Sequence, residues 1–240
     1  MRFMIMHKLT AKLEEGLPPS PEQIAEIHGL MGEAAAAGIM LDGEGLLPSR
    51  ERWHVAYRDG ERTVTKGPFV DQGELIASFA RLKVKSEEEA FSWLDRFAAI
   101  LGDVELFLGP CTEPWDLGMA PKPDNPPLRL LALQQATERS EAGLPSTPEQ
   151  MAQMSALIEE MSAAGVLQST QALAGSAQGA RVFVEDGQHS IVDGPFAESK
   201  ELISGFAVFE LPSKAEAIEW AIRWAHVVKV HQVEVRQLAD

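Results

Sequence analysis

Asp193 stands immediately before Gly194-Pro195-Phe196, and the same triplet recurs at Gly67-Pro68-Phe69 with Lys66 in the place of the aspartate. A carboxylate at a strand end can work as a general acid or base where partial burial brings its pKa toward the working pH. Asp before Gly-Pro is equally good turn chemistry, its oxygens accepting backbone N–H groups. Both readings stay open. His189 lies on the same stretch, but four residues of extended chain span about 13 Å, so a direct His189/Asp193 dyad would need a bulge. His226 and His231, near the last strand, suit surface or packing roles better than catalysis.

Other charges differ between the two stretches in the same way. Arg62 answers His189, Lys66 answers Asp193, Arg81 answers Val208 and Lys83 answers Glu210. By period-two alternation Phe79, Arg81 and Lys83 share one sheet face, and Ala80, Leu82 and Val84 share the other. The apolar set should meet helices, and the charged set a partner sheet or its rim. One expectation is therefore an asymmetric cavity, with Asp193 as the catalytic group and His189, Glu210, Arg62, Lys66, Arg81 and Lys83 as ligand-binding groups. The first copy would give it a cationic lining and the second an anionic one, suited to a small anionic or zwitterionic ligand. The alternative is that these are solvated edge-strand charges that discourage aggregation.

There is no Gly-rich phosphate loop, no HExxH, no paired Cys/His spacing and no G-x-S-x-G elbow. Nucleotide, zinc and serine-hydrolase chemistry are disfavoured on that ground, and neither cofactor nor metal is expected. Cys111, the single cysteine, has no orienting base in its vicinity and permits no intrachain disulfide.

The elements that would position these residues come twice. Setting Gly16 on Gly143, an offset of 127, lays "GLPPSPEQIA" on "GLPSTPEQMA", Asp59-Gly60 on Asp186-Gly187 and Trp93 on Trp220 without a gap. Only "DVELFL" against "QVEVRQL" asks for a shift of two. Ser20-Pro21-Glu22-Gln23 and Thr147-Pro148-Glu149-Gln150 read as helix starts with a capping hydroxyl, proline at the first position and a capping-box glutamine. Gly38 and Gly165 read as helix stops, and the Asp-Gly pairs as hairpin turns. Between the copies lies "GPCTEPWDLGMAPKPDNPP", whose six prolines suit an extended linker rather than a helix or central strand.

The division expected is thus a first repeat over residues 1–112, a Pro-rich linker over 113–127 and a second repeat over 128–240. Each repeat reads β-α-β-β(β)-β-α-β, an elaborated split βαβ or ferredoxin-like plan of the α+β class. "FAVFEL" is apolar on both alternating sets, so its sheet should be covered on both sides. Helices would cover one side and the second repeat the other, giving an intramolecular barrel with a cavity between two sheets.

Composition narrows the partners. The chain of 240 residues has a formal charge of −15, spread as −8 over residues 1–120 and −7 over 121–240. Such a surface repels phosphate backbones, and no Lys/Arg stripe opposes it, so nucleic acid is not expected. The apolar opening "MRFMIMHKLT" is too short for a signal-peptide core and no apolar run approaches ~20 residues, so no membrane partner and a cytoplasmic location are expected.

Asp193 to Glu201, with Gly205-Phe206 and "VEVR" at Val233 to Arg236, resembles the YCII-related family, specifically its DGPF branch. The resemblance implies a dimeric α+β barrel fold over both halves, close in the second and degenerate in the first, where Lys66 replaces the aspartate and Asp71-Gln72-Gly73 replaces Glu198-Ser199-Lys200. It implies function less sharply. Some relatives look like accessory proteins encoded beside extracytoplasmic-function sigma factors, which points to a small-molecule-binding or accessory protein. Elsewhere in the wider family a His/Asp pair is linked with acid–base work and dehydrochlorinase-like chemistry is known. The alternative is therefore a cofactor-independent isomerase or lyase with Asp193 as acid or base. Of the family's ionisable site positions only Asp193 carries over, and a homodimer of chains remains open.

Overall fold

The computed structural model describes residues 1–69, 73, 75–185, 187–197, 199 and 202–239. Asp71, Gln72, Asp186, Glu198, Lys200 and Glu201, used in the sequence comparison above, lie outside the described residues. In chain order the first repeat forms β1 (Arg2–Lys8), the short α1 (Ala11–Glu14), α2 (Pro21–Ala36), β2 (Met40–Gly45), β3 (Trp53–Arg58), β4 (Glu61–Lys66), β5 (Ile76–Val84), α3 (Glu87–Leu101) and β6 (Val104–Pro110). The second forms β7 (Leu128–Gln135), α4 (Glu138–Glu141), α5 (Pro148–Ala163), β8 (Leu167–Ala172), β9 (Ala180–Glu185), β10 (Gln188–Asp193), β11 (Ile203–Glu210), α6 (Lys214–Val228) and β12 (Gln232–Gln237).

Local chemistry accounts for the long helices. Thr147 caps α5 with a full capping box, its oxygen accepting from Gln150 N–H while the Gln150 side chain accepts from Thr147 N–H. Ser20 caps α2 in the same way on one side only, because the Gln23 amide turns inward and donates to the Val228 carbonyl at 2.8 Å. That contact satisfies a carbonyl left over at the end of α6 and ties the two helices together. Gly38 and Gly165 end α2 and α5 at φ of 68° and 70°, a region a side chain disfavours.

Two six-stranded antiparallel sheets result, and neither belongs to one repeat. Sheet one runs β10-β9-β12-β1-β11-β2 and sheet two runs β4-β3-β6-β7-β5-β8. The opening strand of each repeat is inserted between strands of the other: β1 pairs with β11 and β12, and β7 with β5 and β6. The expectation that each repeat closes its own ferredoxin-like sheet is corrected by this exchange. The linker suits this arrangement, since it joins β6 and β7, which are neighbours in sheet two. Gly109 and Pro110 pair with Leu131 and Leu130, so β6 extends into the stretch read as linker. Trp115 and Leu117 are half-buried, which pins the connection to the surface.

The repeats correspond at 127 to their last strand. Trp53 pairs with Leu108 as Ala180 pairs with Val235, and Leu46 bridges Cys111 as Leu173 bridges Leu238. The shift of two inferred near the end from letters alone is therefore corrected.

Three apolar cores hold the layers. Phe3, Ile5, Ala207, Phe209 and Leu211 pack sheet one against α2 and α6, and Leu82, Val84, Leu106 and Leu130 pack sheet two against α3 and α5. Met4, Met6, Phe79, Phe107, Leu131, Phe206 and Val208 fill the space where the sheets face each other, with the Phe79 and Phe206 rings 5.0 Å apart. The alternation read from "FAVFEL" is what the structure shows. The middle of the interface is packed solid.

His7 lies in the sheet-one layer, 8% exposed, with its Nδ1 accepting from Trp224 Nε1–H at 3.2 Å. Gly205 makes the space: a Cβ there would meet the His7 ring at 2.5 Å. Burial, and then the charge of Arg52, push the imidazole from 6.5 down to about 4. The unfolded chain binds this proton first, so stability is expected to fall as pH drops from 6.5 and to level off near 4. The total is about 3 kcal/mol. Urea titrations across that window should show the loss, and His7→Gln should flatten it.

Candidate functional site

The Gly-Pro-Phe turns are built alike in both repeats, whichever charge precedes them. Ser176 Oγ accepts the Phe196 N–H at 2.9 Å, and Ser49 Oγ accepts the Phe69 N–H at 3.0 Å. Each serine hydroxyl in turn donates to a carboxylate on the short preceding helix, Glu141 or Glu14, and its backbone N–H goes to the same side chain at 2.9 and 2.8 Å. The glycines are demanded by proximity, because a Cβ on Gly194 would stand 1.8 Å from the Ser176 carbonyl oxygen and one on Gly67 2.0 Å from that of Ser49. Both Gly-Pro bonds are cis.

Asp193 itself sits at the end of edge strand β10, 69% exposed, its Oδ1 accepting from Lys214 Nζ at 2.7 Å at the start of α6. Two residues before it, Ile191 pairs with Val182 of the helix-side core, so by alternation Asp193 also faces the helices and not the space between the sheets. His189 shares that strand and is exposed. At the equivalent place in the first repeat Lys66 lies over the Trp53 ring, 5.4 Å from its centre, and Glu87 takes the position of Lys214. The two positions thus carry opposite charges in the copies, an ion pair with Lys214 in the second and a cation over an aromatic ring in the first.

Other residues expected in the cavity are dispersed as well. Arg62 points to the helix layer, binding Asp95 at 2.7 Å over the Phe91 ring. Lys83 and Glu210 are exposed at strand ends. Arg81 does reach across to sheet one, as alternation required, and binds Asp42 at 2.7 Å and Glu44 at 2.9 Å on β2. Arg129 joins the same knot through Glu44 and Glu113. Because both carboxylates on β2 come from the first repeat, the expected division into a cationic first copy and an anionic second one is corrected. The knot is a seam between the sheets.

An open cavity lies elsewhere, on the inner face of sheet two beside the solid inter-sheet core. It has a volume of about 530 Å³ and is lined by His54, Arg58, Asp103, Glu105, Phe107, Gln135 and Thr137 among others. His54 Nε2 is 3.1 Å from Glu105 Oε2, and Arg58 holds the second oxygen of that carboxylate. In a neutral ring beside an ionised carboxylate, which only accepts, Nε2 would carry the proton and Nδ1 would be the acceptor. The His54 ring leans on Phe107 at 4.8 Å, which in turn meets the edge of Phe69 at 5.3 Å. A short imidazole–carboxylate contact on the wall of a cavity can take a proton from a bound molecule and return it.

The corresponding place in sheet one is closed. At the offset of 127, Gln135, His54 and Phe107 become Lys8, Arg181 and Glu234. Glu234 is 1% exposed and contacts Lys8 at 3.6 Å, Arg181 at 3.0 Å and Arg236 at 3.4 Å. Burial alone would raise its pKa, but Lys8, Arg181 and Arg236 hold the carboxyl below its ordinary range. Arg181 also covers the Phe196 ring at 4.1 Å. Three inner-face positions thus make an ion cluster in one sheet and a cleft in the other.

Among the described residues no group of three or more His, Cys, Asp or Glu side chains is placed to hold a metal ion, and no helix is long and apolar enough to cross a membrane. Residues 129–238, the second repeat, match the family model of the YCII-related domain. No curated protein and no solved structure matched the chain significantly.

Proposed function

We propose that this chain, which carries a YCII-related domain over residues 129–238, binds a small zwitterionic molecule in the His54/Glu105 cleft and exchanges a proton with it through His54. The observation that supports this most is the asymmetry just described, since equivalent positions are filled by mutually paired charges in sheet one and left around a cavity in sheet two. A volume near 530 Å³ is in the range of small-molecule sites. Its wall offers a guanidinium and an imidazole on one hand, two carboxylates on the other, and the Phe107 ring as an apolar surface between polar groups. Both signs of charge favour a ligand that carries both. The accessory role beside a sigma factor rests on resemblance alone, and Asp193, exposed and bound to Lys214, is the less favoured proton carrier.

Equilibrium titration of the full chain with glycine, γ-aminobutyrate and free phenylalanine, with acetate and methylamine as single-charge controls, tests the reading. Saturable binding of at least one zwitterion is expected, weakened roughly tenfold or more by His54→Asn, equivalent to about 1.4 kcal/mol. Asp193→Asn should leave it unchanged. Binding that survives His54→Asn, or that Asp193→Asn abolishes, would move the site away from the cleft.

A further inference from the structure

Of the four edge strands, β2 and β8 are mostly half-buried, whereas β4 and β10 are open and unequally defended. Both β4 and β10 are exposed at all six residues and, among the described residues, pair on one side only, leaving a row of unpaired backbone groups. Free edges recruit further strands unless charges, proline or bulges blunt them. On β4 three of six side chains are charged: Glu61, Arg62 and Lys66. On β10, "QHSIVD", Asp193 is the one carboxylate and there is no lysine, arginine or proline. Ile191 and Val192 stand at its centre, 45% and 50% exposed, on opposite faces of the sheet.

We propose that β10 is an interface between two copies of this chain, pairing antiparallel with its own symmetry mate so that the two copies of sheet one become continuous. A two-fold axis through Ile191 puts Ile191 opposite Ile191 of the partner subunit, Ser190 opposite Val192 of the partner subunit and His189 opposite Asp193 of the partner subunit. The third pairing occurs twice and is complementary: the carboxylate, which Lys214 contacts through Oδ1, faces an imidazole N–H. Residues 189, 191 and 193 share one face, so the apolar pair is flanked on both sides by polar pairs. The alternative partner, β4 of a second chain, would set Lys66 against His189, a pairing of two basic side chains. It is also a heterologous contact, whereas the β10 pair is self-complementary and closes at two chains.

This surface lies on the other sheet from the cleft, so it stands or falls independently of the ligand reading. Sedimentation analysis of the full chain is expected to show a dimer. Ile191→Lys, which places two like charges across the axis and removes the apolar pair, should weaken self-association roughly tenfold or more, about 1.4 kcal/mol. Val64→Lys on β4 should leave it unchanged. Ile191→Cys supplies a positive signal, because opposed residues in an antiparallel pair lie about 4.5–5.5 Å apart at Cα, within disulfide reach. Cys111 is 2% exposed and its thiol is pushed up to about 12 by burial, so it will not compete. Mild oxidation should give a full-length cross-linked dimer with Ile191→Cys and none with Val64→Cys. A chain that sediments as a monomer, a dimer indifferent to Ile191→Lys, or equal cross-linking from both cysteine variants would overturn the proposal.

Discussion

Gly194→Ala is expected to destabilise the chain by at least about 3 kcal/mol, whereas Asp193→Asn, one residue earlier, should stay within about 1 kcal/mol. The asymmetry follows from what each residue touches. A methyl group on Gly194 would overlap the Ser176 carbonyl oxygen at 1.8 Å, and that oxygen belongs to a three-residue turn fixed by Glu141. Relief requires moving the turn or the strand, and with them Phe196, which is buried beneath Arg181. Asp193 gives up one contact with Lys214 at an exposed strand end, where solvent screens most of the interaction. Gly67→Ala should behave like Gly194→Ala, its Cβ falling 2.0 Å from the Ser49 oxygen. Urea unfolding of the three variants measures all of this. A stable Gly194→Ala protein, or an Asp193→Asn protein that unfolds several times more readily than wild type, would contradict the view that the motif's glycine carries structure and its aspartate does not.

Glu234→Ala is expected to cost about 3–5 kcal/mol, the range for removing one member of a buried ion cluster. Lys8, Arg181 and Arg236 all draw on this carboxylate, and Arg236 is itself fully buried with Nε unpartnered among the described residues. Its depressed pKa gives the effect a pH signature. The contribution is present at neutral pH, above the ordinary carboxylate range, and is lost as pH falls through the folded value. Wild type and Glu234→Ala should therefore converge in stability on acidification. Glu105→Ala, at the rim of the cleft, should change stability little, because Glu105 is 37% exposed and its partners His54 and Arg58 can hydrate. Equal losses from the two variants would remove the distinction between a structural cluster and an open site.

The layer assignment was legible because side-chain alternation reports on burial. Phe206 and Val208 against Ala207, Phe209 and Leu211 fell on the faces their order required. Capping residues and terminal glycines located α2 and α5 for the same reason, since each acts within a single turn of chain. The exchange of strands was not legible. Two repeats with one hydrophobic pattern offer β1 equally good partners in β5 and β11, and alternation along a strand does not choose between them. The cleft escaped for a related reason. The Gly-Pro-Phe stretches mark β4 and β10, whose charged residues turn to the helix side or to solvent, while His54 and Glu105 stand in no motif. A signal did exist, in inner-face positions where the repeats differ chemically: Gln135 for Lys8, His54 for Arg181 and Phe107 for Glu234. The same comparison shows a guanidinium changing hosts. Arg52 packs over Gly109, and in the second repeat Arg236 packs over Gly179, each glycine standing where the other repeat has its arginine.

The most direct test of the account observes all six histidine rings at once in the full chain. Imidazole 1H–15N spectra recorded while a zwitterion that binds is titrated should show His54 shifting with saturation, with His189, His226 and His231 unmoved. If His54 stays still while His189 shifts, the site lies at the β10 edge beside Asp193, and the cleft has no part in function.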